Sequence, residues 1–237
     1  LDGDGDMDAV AGNWGRNTDY QKHLHHPIRM YHGDLDRNGR YDLVESYYDP
    51  ESDAWVPSRD LIVLGNAFPF IRERYRSYLG MSKTKVDELF QSVSQLGDWL
   101  EIDFLDTGIL WNEEGQFRWQ SLPLEAQLTP AMSIAVSDFN GDGQTDIFIG
   151  QNTQSLQPEI SRFDAGLGLV LLAEGGQRFK ALTAEESGIR IFGEQTEAVA
   201  TDWDGDGRVD LLVGQTAGEL RLYLQSKQSS LSIDLSK

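Results

Sequence analysis

The chain has 237 residues, 39% of them apolar, with 24 glycines, no cysteine and a formal net charge of −19. That length suits one large all-β domain or two smaller ones, and the lack of cysteine excludes disulfide scaffolds, thiolate-bound zinc and thiol catalysis. Acidity of this degree repels phosphate backbones, which argues against a nucleic-acid partner, and no apolar run approaches the roughly 18 residues of a membrane span.

In chain order, the first feature is the acidic run Leu1–Gly12, in which Asp2, Asp4, Asp6 and Asp8 surround Gly3 and Gly5. Ile28–His32 and Tyr41–Tyr48 read as strands, because aromatic and β-branched residues alternate with polar ones. They flank a second acidic run, Asp34–Asp42. Residues of about 60–99 change period: Val86, Leu89, Phe90, Val93 and Leu96 follow helical spacing, with Thr84 and Asp87 as a capping pair, and Phe70–Tyr78 reads as a second helix. Strands are predicted at 133–138, 146–151, 167–173 and 177–182, around a third acidic run, Asp138–Asp146. The scheme repeats with strands at 198–201, 209–214, 219–225 and 231–235, around Asp202–Asp210.

The four acidic runs share one pattern, D-x-[DN]-x-[DN]-G-x-x-D followed by a short apolar stretch. In the first copy the opening Asp is expected just before Leu1, so the natural N-terminus is expected to lie upstream. The third and fourth copies start 64 residues apart, a period that fits four short strands with their turns. The second and third start 104 apart, and assigning about 40 residues to the helical insertion restores the same period. The expected organisation is therefore a truncated remnant at 1–27, a unit at 28–125 carrying a two-helix insertion at about 60–99, a unit at 126–190 and a unit at 191–237.

The spacing points to calcium. Ca²⁺ takes six to eight oxygens at roughly 2.3–2.6 Å, and a tightly curled loop offers side chains at positions 1, 3, 5 and 9 and a carbonyl at position 7, with glycine at position 6 for the turn. The second loop supplies Asp34, Asp36, Asn38, the Arg40 carbonyl and Asp42; the third supplies Asp138, Asn140, Asp142, the Gln144 carbonyl and Asp146. The fourth supplies Asp202, Asp204, Asp206, the Arg208 carbonyl and Asp210, and the first supplies Asp2, Asp4, the Asp6 carbonyl and Asp8. Clustered carboxylates without a cation repel one another and raise each other's pKa. Thirteen carboxylates occupy these positions, and four bound Ca²⁺ would bring the net charge from −19 to −11.

Asp34–Glu45 also satisfies the EF-hand loop pattern, with an acid at position 12. An EF-hand needs helices on both sides, whereas strand-type segments flank this loop. In the third and fourth loops position 12 is Ile149 and Val213, which cannot chelate.

With these loops, the stretches Gly12–Asn17, Gly33–Asp49, Phe70–Gly80, Leu122–Leu128 and Asp164–Leu172 make the chain resemble the FG-GAP/VCBS-type calcium repeats of integrin-like β-propellers, and more closely bacterial VCBS-repeat proteins that often carry a C-terminal ASPIC/UnbV-type segment. The resemblance implies an all-β propeller, seven-bladed or similar, secreted, periplasmic or on the bacterial cell surface, with calcium stiffening each blade and no catalysis. About three complete four-stranded blades and a remnant fit here, so the chain is expected to be an arc of a larger ring or to pair with another copy. A protein-interaction scaffold is the expected role, with carbohydrate binding by Trp55 and Trp99 as the alternative and a glycan-active enzyme as the more remote one. Trp203, at position 2 of its loop where Leu35 and Phe139 stand in others, is expected to pack inward, and the clustered His23, His25, His26 and His32 are expected to form a polar hairpin tip.

Overall fold

The computed structural model describes residues 1–82, 84–90, 99–154 and 162–225. These residues divide into two units, one made of Leu1–Thr18 and Leu105 onward, the other of Asp19–Phe104. The expected helical positions Val93 and Leu96 and the strand at 231–235 lie outside the described residues.

The first unit begins with β1 (Ala9–Ala11), after which the chain departs into the second unit. There β2 (Ile28–Gly33), β3 (Asp42–Asp49) and β4 (Ala54–Pro57) form an antiparallel meander, and β5 (Trp99–Ile102) adds to the free edge of β2, giving the order β4-β3-β2-β5. Among the described residues four short helices lie between β4 and β5: α1 (Leu61–Ala67), α2 (Pro69–Arg74), α3 (Tyr78–Ser82) and α4 (Val86–Leu89). Asp60 starts α1 by accepting the Ile62 and Val63 N–H groups at 2.8 and 2.9 Å, and Pro69 starts α2, where its missing N–H costs nothing. Two helices were expected, and the differences are local. Tyr75 is extended (φ −115°, ψ 121°), ending α2 inside the predicted Phe70–Tyr78 helix. Thr84 caps nothing, because its hydroxyl donates back to the Gly80 carbonyl at 3.1 Å. Leu64, Phe68, Ile71, Val86 and Phe90 bury themselves against Tyr31 and Val44 of the sheet.

On returning, the chain forms β6 (Gly108–Glu113) and β7 (Gln116–Ser121), and β6 pairs with β1 across the whole excursion, Ala9 opposite Leu110. The stretch expected as one unit at 28–125 is thus divided between two sheets. The apolar face of β6, with Ile109 and Trp111 nearly fully buried, finds its core in the first unit and not against β2–β5.

Among the described residues the first unit holds two further antiparallel sheets. One comprises β8 (Ala131–Ser137), β9 (Asp146–Gln151), β10 (Leu169–Ala173) and β11 (Phe179–Ala181); the other comprises β12 (Glu197–Thr201), β13 (Asp210–Gly214) and β14 (Arg221–Tyr223). A one-turn helix, α5 (Ala184–Ser187), lies between them, started by a Thr183–Glu186 capping box. The sheet β8–β11 is covered on both faces. Ile147 and Ile149 pack with Ile109 and Trp111 on one side, while Phe148 packs with Leu211, Val213 and Tyr223 on the other. That double burial explains why Ile147–Ile149 reads as an unbroken apolar run and not as an alternation.

The exit and re-entry points of the second unit are stitched together within the first. Gly15 N–H donates to the Leu105 carbonyl at 2.8 Å, and Arg16 N–H to the Gln127 carbonyl at 2.7 Å. The Arg16 side chain meets both oxygens of Asp106, at 2.7 and 2.5 Å, and Ser121 Oγ donates to the same carboxylate at 2.6 Å. These bonds hold the Asp106 carboxyl below the usual carboxylate range, the Arg16 contact contributing most. Gly15 is required here: its φ is +75°, and a Cβ would stand 2.5 Å from the Gln127 carbonyl oxygen. Because the neck is closed by residues of the first unit alone, replacing residues 19–104 by a Gly-Ser linker of about six residues is expected to leave that unit folded. A cooperative thermal transition with native-like near-UV circular dichroism checks this; a molten chain would show that the excursion is integral.

Candidate functional site

The four acidic loops fold alike. In the three complete copies the opening Asp accepts the N–H groups of positions 5 and 6: Asp34 takes Asn38 and Gly39 at 2.8 and 2.9 Å, Asp138 takes Asp142 and Gly143 at 3.1 and 2.8 Å, and Asp202 takes Asp206 and Gly207 at 3.0 and 2.9 Å. The position-3 side chains (Asp36, Asn140, Asp204) accept the N–H of position 5 at 2.9–3.1 Å. The position-5 side chains (Asn38, Asp142, Asp206) accept the N–H of position 7, from Arg40, Gln144 and Arg208, at 2.8–3.0 Å. The first loop continues the series, with Asp4 N–H on Asp2 and Asp6 N–H on Asp4. This ladder curls the backbone so that the oxygens of positions 1, 3 and 5 turn to the inside of the loop. Glycine at position 6 serves the backbone alone: Gly39, Gly143 and Gly207 have φ of +84° to +85°, and a Cβ on any of them would meet nothing within 4 Å.

Position 9 does something that the spacing does not disclose. One oxygen of each of these residues reaches back to the loop entrance, Asp42 to Leu35 N–H at 3.0 Å, Asp146 to Phe139 N–H at 2.9 Å and Asp210 to Trp203 N–H at 2.8 Å. In three sheets the other oxygen crosses to the third strand or its end, Asp8 taking Asn112 N–H, Asp146 taking Ala173 N–H and Asp210 taking Gln225 N–H, each at 2.9 Å. The carboxylate therefore ties loop, second strand and third strand in one register. Asn112, Ala173 and Gln225 meet the carboxylate through backbone N–H groups, so that contact leaves no side-chain signal in the sequence. In the second unit β4 pairs only with Ser46–Asp49, away from Asp42. Burial explains the electrostatics. Asp146 is fully buried and Asp210 nearly so, and desolvation pushes the Asp146 carboxyl up to about 6 and raises that of Asp42. A carboxylate in that setting stays ionised at lowest cost beside a positive charge.

Carboxylate oxygens of Asp34, Asp36 and Asp42 lie within 4.8 Å of one another, as do those of Asp202, Asp204 and Asp206. Asp206 also pairs with the Arg208 guanidinium, which donates onward to the Gln225 carbonyl at 3.0 Å. Glu45, the acid an EF-hand would use, points elsewhere: it accepts from Tyr20 Oη at 2.7 Å and pairs with Arg59 at 2.7 Å. Strands β2 and β3 flank that loop, which removes the EF-hand reading.

The comparison with family models recognises one loop together with the strands on either side of it. Residues 131–158 match the FG-GAP repeat. The FG-GAP match spans β8, the third loop and β9, and points to an integrin-like β-propeller interaction module, a class in general structural and not catalytic. A comparison with curated proteins finds no match.

Other candidates fare differently. Among the described residues no histidine belongs to a metal-sized group of ligands: His23 packs tilted on Tyr47 and His26 tilted on Tyr48, each with ring centres 4.0 Å apart, and His32 Nδ1 shares a 2.8 Å hydrogen bond with the Tyr41 hydroxyl. Trp203 is 60% exposed, against 3% for Leu35 and 2% for Phe139, so the inward packing expected from its loop position does not occur. The reason is what lies over each loop. Phe139 is covered by Leu211 and Tyr223 of the following sheet, and Leu35 by the helices of its own unit. Trp55 and Trp99, distant in sequence, meet on either side of Arg29. Among the described residues no helix is long and apolar enough to cross a membrane.

Proposed function

We propose that this chain is part of a calcium-stabilised β-propeller, exported to the periplasm, cell surface or medium, that serves as a protein-interaction scaffold. The observation that carries the reading is the recurrence of one loop, its opening Asp accepting the N–H groups of positions 5 and 6, at the same corner of three sheets, with three carboxylates brought within 4.8 Å of one another in two of them. The donor set is all oxygen, hard and mostly anionic, which suits Ca²⁺ in preference to softer metals. Asp34, Asp36, Asn38 and Asp42 would hold one ion, Asp138, Asn140, Asp142 and Asp146 a second, and Asp202, Asp204, Asp206 and Asp210 a third, with carbonyls of Arg40, Gln144 and Arg208. Asp2, Asp4 and Asp8 are the remaining ligands of the first loop, with the Asp6 carbonyl. Each ion would neutralise carboxylates that otherwise repel, and stiffen the corner where two strands turn. Extracellular modules of this kind bind with Kd values on the order of 10⁻⁴–10⁻³ M, a range that free calcium outside cells fills and cytosolic calcium does not.

Equilibrium dialysis at about 5 mM CaCl₂ is expected to find three ions per chain on the complete loops, and Asp138→Ala and Asp202→Ala are each expected to remove one. Stoichiometry indistinguishable from zero, or unchanged by both substitutions, defeats the calcium assignment.

A further inference from the structure

The second unit holds a feature that the calcium loops do not use. On one face of its sheet, cross-strand pairing sets Arg29 of β2 opposite Glu101 of β5, with Trp99 one step diagonal, while Trp55 of β4 reaches the same face from the other side. The Arg29 guanidinium lies 3.4 Å from the centre of the Trp55 ring and 4.1 Å from that of Trp99, a cation held between two indoles. Glu101 Oε1 fixes the arrangement by accepting Arg29 Nε at 3.3 Å and Trp99 Nε1 at 2.9 Å. Tyr48 packs edge-on against Trp55 with centroids 5.0 Å apart, extending the aromatic row.

Two properties give this cradle a ligand chemistry. First, the Arg29 side chain is 18% exposed, and among the described residues its Nε meets Glu101 while its two terminal nitrogens have no hydrogen-bond partner. A guanidinium clamped by aromatic faces has already lost its rotamer freedom and presents a planar fork that matches a carboxylate. Second, the stretch of chain that carries Arg29 is itself free of acidic residues, and the carboxylate described on the guanidinium is Glu101 from the neighbouring strand. Residues 20–32 contain Lys22, Arg29 and all four histidines, and no Asp or Glu, in a chain of net charge −19. The indoles supply flat apolar surface beside the fork, with Trp99 37% exposed.

We infer that the Trp55–Arg29–Trp99 cradle is a binding subsite for the carboxylate-bearing pyranose of an acidic glycan, a uronic acid whose carboxylate takes the Arg29 fork and whose ring lies along the exposed indole edge. The inference names a ligand for the interaction module proposed above, and uses none of its metal-binding residues.

The experiment is calorimetric titration of the chain, in fixed calcium, with trigalacturonate and trimannuronate, with their methyl esters, and with hexaglutamate. The expected result is saturable binding of at least one uronate trimer, and at least tenfold weaker binding of its ester and of hexaglutamate. Arg29→Lys, which keeps the charge and removes the fork, and Trp99→Ala are each expected to weaken binding at least tenfold while the melting transition stays cooperative. Equal affinity for the esters would remove the carboxylate from the recognition. Equal affinity for hexaglutamate would reassign the site to acidic peptides, and no binding of either trimer would overturn the proposal. The calcium dependence of melting in the same preparation reads the scaffold proposal independently, so either can fail alone.

Discussion

Stripping calcium from the native chain is expected to lower the melting temperature of each unit by about 10–20 °C. The size follows from mass action: an ion that binds only the folded chain, at a free concentration near 100 times its Kd, stabilises by about 2.7 kcal/mol per site. The first unit carries two complete loops, Asp138–Asp146 and Asp202–Asp210, and the second carries Asp34–Asp42. A kcal/mol moves the transition of a domain of 60–100 residues by about 4–8 °C and that of a larger one by about 2–4 °C, so two sites on the larger unit and one on the smaller give similar shifts. Calcium should restore both transitions, and sodium at equal ionic strength should restore neither, because general screening of the net charge of −19 does not reproduce coordination. A melting curve indifferent to EDTA, on protein shown by elemental analysis to be metal-free, would leave the loops as hydrogen-bonded turns.

The second large effect separates two roles that the loop residues share. Asp138→Ala is expected to abolish the calcium response of its loop while leaving the metal-free protein within about 1 kcal/mol of the parent, because the N–H groups it releases, of Gly141, Asp142 and Gly143, are exposed and pass to water. Asp146→Ala is expected to cost about 2–5 kcal/mol even in EDTA. It strands the buried Phe139 N–H and the Ala173 N–H on β10, each worth about 1–3 kcal/mol when left unsatisfied. Asp146→Asn keeps one acceptor and should fall between the two. Urea titrations of the three variants with and without calcium give the comparison. Equal midpoints for Asp138→Ala and Asp146→Ala in EDTA would mean that the tie between strands carries no weight in the absence of metal.

Much of the local structure was legible because it is set by neighbours in the chain. An Asp-x-Asn-Gly pattern curls a backbone through side-chain acceptance of N–H groups two to five residues on, and glycine at position 6 permits the φ near +85° that the curl needs. Strands β8, β9, β12 and β13 announce themselves by composition beside those loops. The helices were less legible: four pieces of four to seven residues are too short for a 3.6-residue period to be counted, and Tyr75 breaks α2 where the apolar spacing runs on.

What the sequence determined by itself is therefore the loop and the strands that abut it, since those interactions close within about ten residues. Only the tertiary structure decided which strands share a sheet. β1 is three residues, Ala-Val-Ala, and nothing in them selects β6 a hundred positions later over the strands of the intervening unit. The selection comes from the apolar face that Ile109 and Trp111 must bury and from the Gly15–Leu105 and Arg16–Asp106 bonds that close the neck. The same physics places Trp203 in solvent and Phe139 in a core from equivalent loop positions, and brings Trp55 and Trp99 to the two faces of Arg29. Burial depends on what packs over a residue, and that is a property of the assembled sheets.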